Sequence, residues 1–225
     1  MNISITRGDD LEDVEINKER IAGAIGVHKE DFTYTHQTHT TNVARVMPED
    51  KGRHFMETDG LVTNVPGICL VTFYADCVPL FFVDPVKKAI GLSHSGWRGT
   101  VGKMGKVTVE KLVKEFGSDP KDILAAIGPS ICQDCYEVSE DVIEKFKEAF
   151  DASLWEELFY KKENGKYQLN LWRANEAVFE EAGILKEHIA VTNLCTHCNP
   201  DLLFSHRTTG NARGNLSAFL ALQEV

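Results

Sequence analysis

The sequence lacks a surplus of basic residues, a long hydrophobic run and a low-complexity linker, and these absences exclude several classes of protein. Its 225 residues contain 24 Lys and Arg against 34 Asp and Glu, which gives a net charge of −10. Nucleic acid and anionic membrane surfaces would repel such a chain. The longest apolar run, around residues 68–75, is far shorter than a membrane span. We therefore expect a small-molecule substrate, with neither nucleic acid nor a membrane as a partner.

The N-terminal stretch MNISITRGDDLEDVE also lacks the basic-then-apolar pattern of a signal peptide, so we expect a cytoplasmic protein. In that reducing compartment the six cysteines are expected to be thiols or metal ligands rather than disulfides, although their even number permits bridges. Because the chain has no linker and no internal repeat, residues 1–225 are expected to fold as one domain. The oligomeric state stays open, with a monomer as the expectation.

Strand and helix patterns alternate irregularly along the chain, which predicts an α+β fold with sheets covered by helices. Strands are predicted at 32–36, 42–47, 60–63, 67–75, 79–83, 89–94, 123–127, 167–170, 189–194 and 216–222, and a loop at 51–58. Helices are predicted at 17–24, 100–116, 139–150 and 170–182, with Asn17, Ser139 and Asn170 as N-caps and Gly117 and Gly183 as stops. The nearly continuous apolarity of the strands between 60 and 83 predicts burial on both faces.

Chemistry-bearing residues concentrate in the stretch 61–99, where Cys77 and His94 fall at two predicted strand ends. A buried thiol or imidazole is costly unless it is paired or bound to a metal. His39, in the loop HQTHTT at 36–41, is a third candidate ligand. Three N and S ligands leave a fourth position open, as in catalytic zinc sites. The pattern therefore predicts a zinc site at His39, Cys77 and His94, and the alternative is a buried Cys with two hydrogen-bonded histidines.

Charged residues next to these candidates suggest further roles. Arg98 and Gly99 begin a predicted helix, and a helix N-terminus beside a guanidinium predicts a phosphate site. The alternative is that Arg98 caps a loop carbonyl or pairs with Asp76. Asp76 is itself a candidate general base, or a carboxylate that fixes a histidine tautomer, whereas Asp59 is predicted to be a turn residue.

Candidates for stacking a flat ring are Trp97, Trp155 and Trp172, although such residues more often pack in a core.

Two C-x-x-C pairs form a second candidate metal group. Cys132 with Cys135 and Cys195 with Cys198 offer four thiolates for a structural zinc ion. Residues 136–194 separate the pairs, however, and a zinc ribbon usually spaces its pairs by about 15–20 residues. The alternative is two pairs of ordinary thiols, one of them lining the pocket.

The chain as a whole resembles the YfiH-type family. The resemblance is carried by the segments HQTHTTNV (36–43), TDGLVT (58–63), YADCVPL (74–80), GLSHSGWRGT (91–100), AIGPSICQDCYEV (126–138) and CTHCNPDLLFSHR (195–207). That family has been named polyphenol oxidase or laccase, peptidoglycan editing factor and, for its activity, purine nucleoside phosphorylase. Because the segments occur in the family's order over nearly the whole chain, they are far more specific than any one motif.

The resemblance implies a four-layer α/β/β/α sandwich and makes His39, Cys77 and His94 the zinc ligands, with His36 as a bystander. Copper is an alternative metal in vitro. The implied activity is the phosphate-dependent cleavage of adenosine, inosine, guanosine and methylthioadenosine, with some adenosine deamination. Arg98 with its helix N-terminus would hold the phosphate, and Asp76 or a bound water would protonate the leaving purine.

Other functions stay open at this point. Cys77 as a nucleophile with His94 as its base would make a metal-free thiol hydrolase. A cytoplasmic factor that edits a peptidoglycan precursor is a further alternative. A copper phenol oxidase is disfavoured, because the eight histidines include no His-x-His pair.

The chain departs from the family's usual pattern at its two ends and beside His39 and His94. Arg7 is the one arginine before Gly8, where family members usually carry an Arg- and Gly-rich segment, so the resemblance leaves open whether the N-terminus contributes to the pocket. Thr40 and Ser95 replace commoner small residues next to two ligands. The ending TTGNARGNLSA matches loosely, and Arg213 receives no role.

Overall fold

Two β-sheets lie face to face in the computed structural model, which describes residues 1–5 and 8–223. The strands are β1 (Phe32–Thr35), β2 (Val43–Arg45), β3 (His54–Phe55), β4 (Gly60–Thr63), β5 (Cys69–Tyr74), β6 (Val78–Asp84), β7 (Ala89–Ser95), β8 (Leu124–Ile127), β9 (Glu137–Val138), β10 (Phe159–Lys161), β11 (Tyr167–Leu169), β12 (Ile189–Val191) and β13 (Leu216–Ala221). The α-helices are α1 (Leu11–Ile25), α2 (Trp97–Val101), α3 (Met104–Phe116), α4 (Glu140–Ala149), α5 (Trp155–Leu158), α6 (Leu171–Glu181) and α7 (His206–Thr209). Short 3-10 helices occupy Lys29–Asp31, Pro48–Asp50, Pro120–Asp122, Gln133–Cys135, Ala152–Leu154 and Lys186–His188.

The sheet topology places the hairpin of β6 and β7 at the centre of the larger sheet. That sheet has the order β12-β8-β6-β7-β4-β2, and the facing sheet has the order β13-β5-β1-β3. A small third sheet, β10-β11-β9, lies beside them. Every residue of β7 is buried, and β4, β5 and β6 are buried along most of their length. This confirms the predicted burial on both faces.

Three buried apolar clusters pack the helices and the sheets together, and they are consistent with the predicted α+β class. The cluster between the sheets includes Leu61, Leu70 and Leu92. A larger cluster joins the outer face of the six-stranded sheet to α3 and α6, where Phe82 meets Phe179 edge to face. A smaller cluster covers the outer face of the other sheet under α1. Within the described ranges, no helix has both the length and the apolarity needed to cross a bilayer.

The helix predictions are correct for α4 and α6 but wrong at two other places. The first helix starts at Leu11 rather than at 17, because Asp10 caps it by accepting the N–H of Glu12 at 2.8 Å. Its acidic first turn hides the apolar periodicity. The single helix predicted over 100–116 is two helices, α2 and α3, separated at Lys103, which adopts a left-handed φ of 61°.

The break between α2 and α3 leaves room for the loop that carries His39. A Cβ on Gly102 would lie 2.7 Å from Thr41 Cγ2 in that loop. A side chain at 102 is therefore excluded by a neighbour from a distant part of the chain, which no local pattern reveals. The predicted stops at Gly117 and Gly183, by contrast, are confirmed by their left-handed φ angles of 70° and 93°.

Candidate metal centre

The hairpin of β6 and β7 brings Cys77 next to His94. Cys77 immediately precedes β6, and the antiparallel register pairs Val78 with Ser95 and Pro79 with His94. The thiol and the imidazole therefore meet at one end of the hairpin although they are well separated along the chain. His94 is 4% exposed and Cys77 is half-buried, so the pair lies at the floor of an opening rather than on the surface.

His39 reaches the same place from the loop after β1. The side chain of Gln37 fixes this loop to β5, since its Nε2 donates to the carbonyl of Phe73 at 2.7 Å and its Oε1 accepts the N–H of Phe73 at 2.8 Å. His39 then adopts a φ of 60°, in the left-handed region that few non-glycine residues enter. The reversal turns its ring towards His94, with ring centroids 4.9 Å apart in an edge-to-face arrangement.

Asp59 joins the His39 loop to His94 through one fully buried carboxylate. Its oxygens accept the backbone N–H groups of Thr38 at 3.1 Å, of His39 at 3.1 Å and of Thr40 at 2.9 Å, as well as the Thr40 hydroxyl at 2.8 Å. The same carboxylate lies 2.8 Å from Nδ1 of His94. Asp59 thus fixes the ring orientation of one candidate ligand and the backbone of another, and it leaves Nε2 of His94 free to face Cys77.

The prediction that Asp59 is only a turn residue is therefore wrong. Asp76 was the sequence candidate for fixing a histidine tautomer, but its carboxylate accepts the Thr196 hydroxyl at 2.6 Å and the N–H of Arg207 at 2.7 Å. Asp59 carries only a weak local signal, a lone Asp before a buried strand. Its partners come from other parts of the chain.

Electrostatics in the centre favour the charged forms of Asp59 and His94 and the neutral form of His39. Burial opposes ionisation of Asp59, but hydrogen bonds from His94 and Thr40 outweigh it and lower the pKa of that carboxyl to about 2. Burial also opposes protonation of His94, yet the neighbouring Cys77 and Asp59 raise the pKa of the imidazole to about 9. For His39, burial and the nearby positive charges of His94 and Arg98 lower the pKa, with Asp59 acting in the opposite direction. A positive ion at this point would take over the charge that the protons otherwise supply.

The geometry of the three side chains fits a metal ion. One ligand atom each from His39, Cys77 and His94 can be chosen so that all three lie within 4.8 Å of one another. Gly96 borders this group, and a Cβ built there would lie 3.0 Å from both Cys77 Sγ and His39 Nδ1. The chain therefore has glycine where any larger residue would crowd two of the ligand atoms. Two nitrogens and one sulfur suit zinc and leave one tetrahedral position for a water or a substrate.

Gly96→Ala is expected to weaken metal binding by about 10–100-fold while the fold persists, because the new methyl group displaces two ligands by a few tenths of an ångström. The φ of Gly96 is −77°, so alanine is not strained there. Isothermal titration of the metal-free protein with zinc measures the effect. The control is Gly23→Ala, since Gly23 lies in α1 with nothing within 4 Å of a Cβ and should leave zinc affinity unchanged. Equal affinities in the two variants would contradict this geometry.

All three candidate ligands open onto one cavity of about 350 Å³. Its aromatic walls are Tyr34, Phe73 and Tyr74. The tryptophans point elsewhere: Trp155 and Trp172 donate their indole N–H groups to Phe150 O and Ser130 Oγ, and Trp97 lies under the Arg98 guanidinium. The flat-ring surface of the cavity is therefore built from Tyr and Phe, not from Trp.

The two chain ends also reach the cavity, although the sequence motifs assign neither of them a role. Ile3, Ser4 and Ile5 line it, and so does Arg213. The N–H of Asn215 donates to Asn2 Oδ1 at 3.1 Å, and this bond ties the N-terminal segment to the loop before β13. Arg7 lies outside the described residues.

Arg98 and Gly99 lie in the first turn of α2, immediately after the ligand strand. The Arg98 side chain is exposed, and its guanidinium carbon stands 4.3 Å from the centroid of the Trp97 ring. The Asp76 carboxylate accepts hydrogen bonds from Thr196 and Arg207, and the described residues include no ion pair between Asp76 and Arg98. Gly99 is buried, and a Cβ there would lie 3.4 Å from Ser95 Oγ. Glycine thus permits close packing of α2 on β7, while the Arg98 charge is near enough to His39 to contribute to its lowered pKa.

Fold and site together define an α+β protein with a Cys/His group of the kind that binds a metal ion beside a ligand-sized cavity. The sequence profile of the family described as multi-copper polyphenol oxidoreductase laccase matches residues 1–223. The chain belongs to this family, and the resemblance predicted from its motifs is confirmed.

Relatives and solved structures are similar over nearly the whole chain. The purine nucleoside phosphorylase YlmD of Bacillus subtilis is 35% identical over 232 residues, which cover 100% of this chain and 83% of that protein. The adenosine deaminase RL5 of an unknown prokaryotic organism is 37% identical over 210 residues, 90% of this chain and 79% of the relative. The crystal structure of the hypothetical protein YfiH of Bacillus licheniformis superposes with a TM-score of 0.94 at 32% identity, covering 99% of this chain and 85% of that one.

Proposed function

We propose that this chain is a zinc-dependent purine nucleoside phosphorylase that cleaves adenosine, inosine, guanosine and methylthioadenosine, with adenosine deamination as a side activity. The observation that carries the proposal is the group of His39, Cys77 and His94 at the wall of the cavity. Relatives named purine nucleoside phosphorylase and adenosine deaminase support an enzyme of this kind. The cavity volume of about 350 Å³ is within the range of small-molecule sites.

Phosphorolysis requires that phosphate and the nucleoside react at one carbon atom, C1′ of the ribose. A phosphate oxygen forms a bond to C1′ of the ribose while the bond from C1′ to the purine nitrogen breaks, and the purine keeps the electron pair and takes up a proton. When bound, zinc would supply a Lewis acid and an activated water, the latter being what deamination needs. The residues of the chain itself bind both substrates and exclude bulk water.

Phosphate is assigned to Arg98 and the first turn of α2 at Gly99. A guanidinium can grip two phosphate oxygens at once, and the exposed Arg98 side chain is held on Trp97 rather than in an ion pair with Asp76. The charge of Arg98 contributes to the lowered pKa of His39, and this proximity supports an anion position beside the metal group. The nucleoside is assigned to the cavity, with Tyr34 and Phe73 as apolar walls for the purine.

Asp76 is assigned a positioning role in this proposal. Both of its carboxylate oxygens already accept hydrogen bonds, from Thr196 and Arg207, and its own φ is 80°. The residue therefore holds the turn that aims Cys77. Protonation of the leaving purine is then left to a water in the cavity rather than to the Asp76 carboxyl.

Purified zinc-loaded protein incubated with inosine should release hypoxanthine and ribose 1-phosphate only when phosphate is present. Chromatography of the reaction detects both products. Under the same conditions adenosine should release adenine. A slower deamination should also convert adenosine to inosine. Absence of free base with every one of the four nucleosides, with and without phosphate, would overturn the proposal.

Arg98→Ala is expected to raise the KM for phosphate by about 10–100-fold with little change in the KM for inosine, since hydrogen bonds to a charged group contribute about 1.5–3 kcal/mol. Arg98→Lys should recover part of the loss, because it keeps the charge but not the two-pronged grip. Steady-state kinetics at varied phosphate measures the effect. Arg20→Ala, an exposed arginine in α1, is the control. A phosphate KM that does not change in Arg98→Ala would remove this residue from the site.

A metal-free thiol hydrolase is a second candidate, because Asp59, His94 and Cys77 form a continuous chain. Asp59 is 2.8 Å from Nδ1 of His94, and the opposite side of that ring faces Cys77. Acid, imidazole and thiol in this order are the elements of a cysteine nucleophile. One tightly bound zinc per chain in active protein would exclude it, whereas rapid alkylation of Cys77 that abolishes activity of metal-free protein would support it.

A further inference from the structure

Four cysteines that the proposed reaction does not use meet at a second point in the molecule. One Sγ each from Cys132, Cys135, Cys195 and Cys198 lies within 4.8 Å of the others. All four are free thiols, and the two C-x-x-C pairs come from segments 63 positions apart. We call them the tetracysteine group. In the sequence, the long separation of the two pairs counts against a zinc ribbon. The fold nevertheless brings the two pairs together.

Backbone pairing between the two segments closes this distance. Ser130 and Cys195 form an isolated parallel bridge, in which the N–H of Ser130 donates to Leu194 O and the N–H of Thr196 donates to Ser130 O, both at 3.2 Å. This bridge continues the pairing of β12 with β8 past the end of both strands. Each segment then turns within the next residues, and the turns bring both members of each pair to the same side.

The sulfur atoms are close enough together to share one metal ion with four thiolate ligands. Sγ of Cys135 and Sγ of Cys198 are 3.4 Å apart, whereas a disulfide bond is about 2.05 Å and two sulfurs about 2.3 Å from a tetrahedral zinc ion are about 3.8 Å apart. Sγ of Cys195 accepts the backbone N–H groups of Cys132 at 3.3 Å and of Cys198 at 3.4 Å. Two N–H donors directed at one sulfur stabilise a thiolate, as partners of metal-bound thiolates do.

We propose that the tetracysteine group binds a second metal ion, Zn²⁺, with four thiolates and no open position. Four soft ligands at these distances select zinc over harder cations, and a closed site is structural rather than catalytic. Binding replaces the thiol protons, which leave to solvent. Cys195 is buried and Cys198 is exposed, so the ion has access from the surface. The inference is independent of the nucleoside chemistry proposed above.

This second ion would stiffen the turn that carries Cys77. Both segments of the tetracysteine group hold the preceding residue, Asp76: the N–H of Ile131 donates to its carbonyl at 3.0 Å, and the hydroxyl of Thr196 donates to its carboxylate at 2.6 Å. Asp76 has a φ of 80°, which a non-glycine residue adopts only when its surroundings impose it. Crosslinking the two segments through a metal therefore fixes a strained residue next to a ligand of the first centre.

Zinc content of the full chain, purified under reducing conditions without chelators, tests the proposal. Mass spectrometry of the metal should find about two zinc ions per chain in the wild type, and about one in Cys135→Ser/Cys198→Ser and in His94→Ala. The variant that combines all three substitutions should hold almost none. Cys69→Ala is the matched control, because Cys69 is a free buried thiol in β5 outside both groups, and it should keep about two.

Cobalt substitution gives a second readout that does not depend on how well the cysteine variant folds. The cobalt form of His94→Ala should show the intense sulfur-to-metal charge-transfer absorption of several thiolates, and native mass should correspond to one bound ion. A wild type with one zinc that is lost in His94→Ala and retained in Cys135→Ser/Cys198→Ser would overturn the proposal. The proposal would also be overturned if the intact mass were lower by two hydrogens than that of the reduced chain and no second ion were bound, because that result identifies a disulfide.

Discussion

His94→Ala is expected to lose the metal at the first centre and to lower phosphorolysis by more than about 1,000-fold. Loss of a residue that merely supports a ligand costs about 10–100-fold in affinity or activity, and loss of a ligand itself costs more. Metal analysis and the rate of hypoxanthine release from inosine measure the two effects. Both should fall together, because the proposed chemistry needs the group of His39, Cys77 and His94 intact.

Destabilisation must be separated from loss of the ligand in this variant. Alanine leaves the Asp59 carboxylate buried without its imidazole partner, which is destabilising by about 3–5 kcal/mol. His94→Gln retains an amide that can donate to Asp59, so it should fold better and still lack activity. His28→Ala, an exposed histidine after α1, is the control and should behave as wild type. Full activity in well-folded His94→Gln would contradict the proposed role.

Asp59→Ala is expected to lower metal affinity by about 10–100-fold and the free energy of unfolding by about 3–5 kcal/mol. The buried carboxylate accepts bonds from the backbone of Thr38, His39 and Thr40 and from the ring of His94, so its loss frees one ligand loop and one ligand ring together. Denaturant unfolding and zinc titration measure the two effects separately.

Asp84→Asn provides the comparison for Asp59. Asp84 is also fully buried and accepts backbone N–H groups, from Val86 and Lys87, but it lies at the opposite end of the β6 and β7 hairpin. Its substitution should lower stability and leave zinc affinity unchanged. If Asp59→Ala loses stability but binds zinc as tightly as Asp84→Asn does, then Asp59 only supports the fold.

Sequence patterns predicted most of the strands because their apolar runs are continuous and local. The boundaries of β4 match the prediction at both ends, and the cap at Asn170 is confirmed by its bond to the N–H of Arg173. The chemistry of His39, Cys77 and His94 could be predicted from residue type together with the family motifs. Each is a good zinc ligand near a strand end, and the structure brings all three to one point.

Features that depend on contacts between distant parts of the chain could not be predicted. The carboxylate of Asp59 meets the ring of His94 across 35 positions. The break at Lys103 makes room for Thr41, and the bridge of Ser130 to Cys195 brings together two cysteine pairs that the sequence keeps far apart. A local sequence pattern indicates the structure that a segment prefers by itself, whereas these features are determined by contacts with a distant segment. The cytoplasmic location, the absence of nucleic-acid and membrane partners and the monomeric state stay predictions.

Metal-dependent phosphorolysis at the first centre is tested most directly by restoring zinc to metal-free protein while the rate of hypoxanthine release from inosine is followed in phosphate buffer. The Cys135→Ser/Cys198→Ser background confines the titration to His39, Cys77 and His94. We expect no phosphorolysis without zinc, and a rate that rises in proportion to occupancy and levels off at about one ion per chain. Full activity in the metal-free protein, or no release of base at full occupancy, would contradict the account.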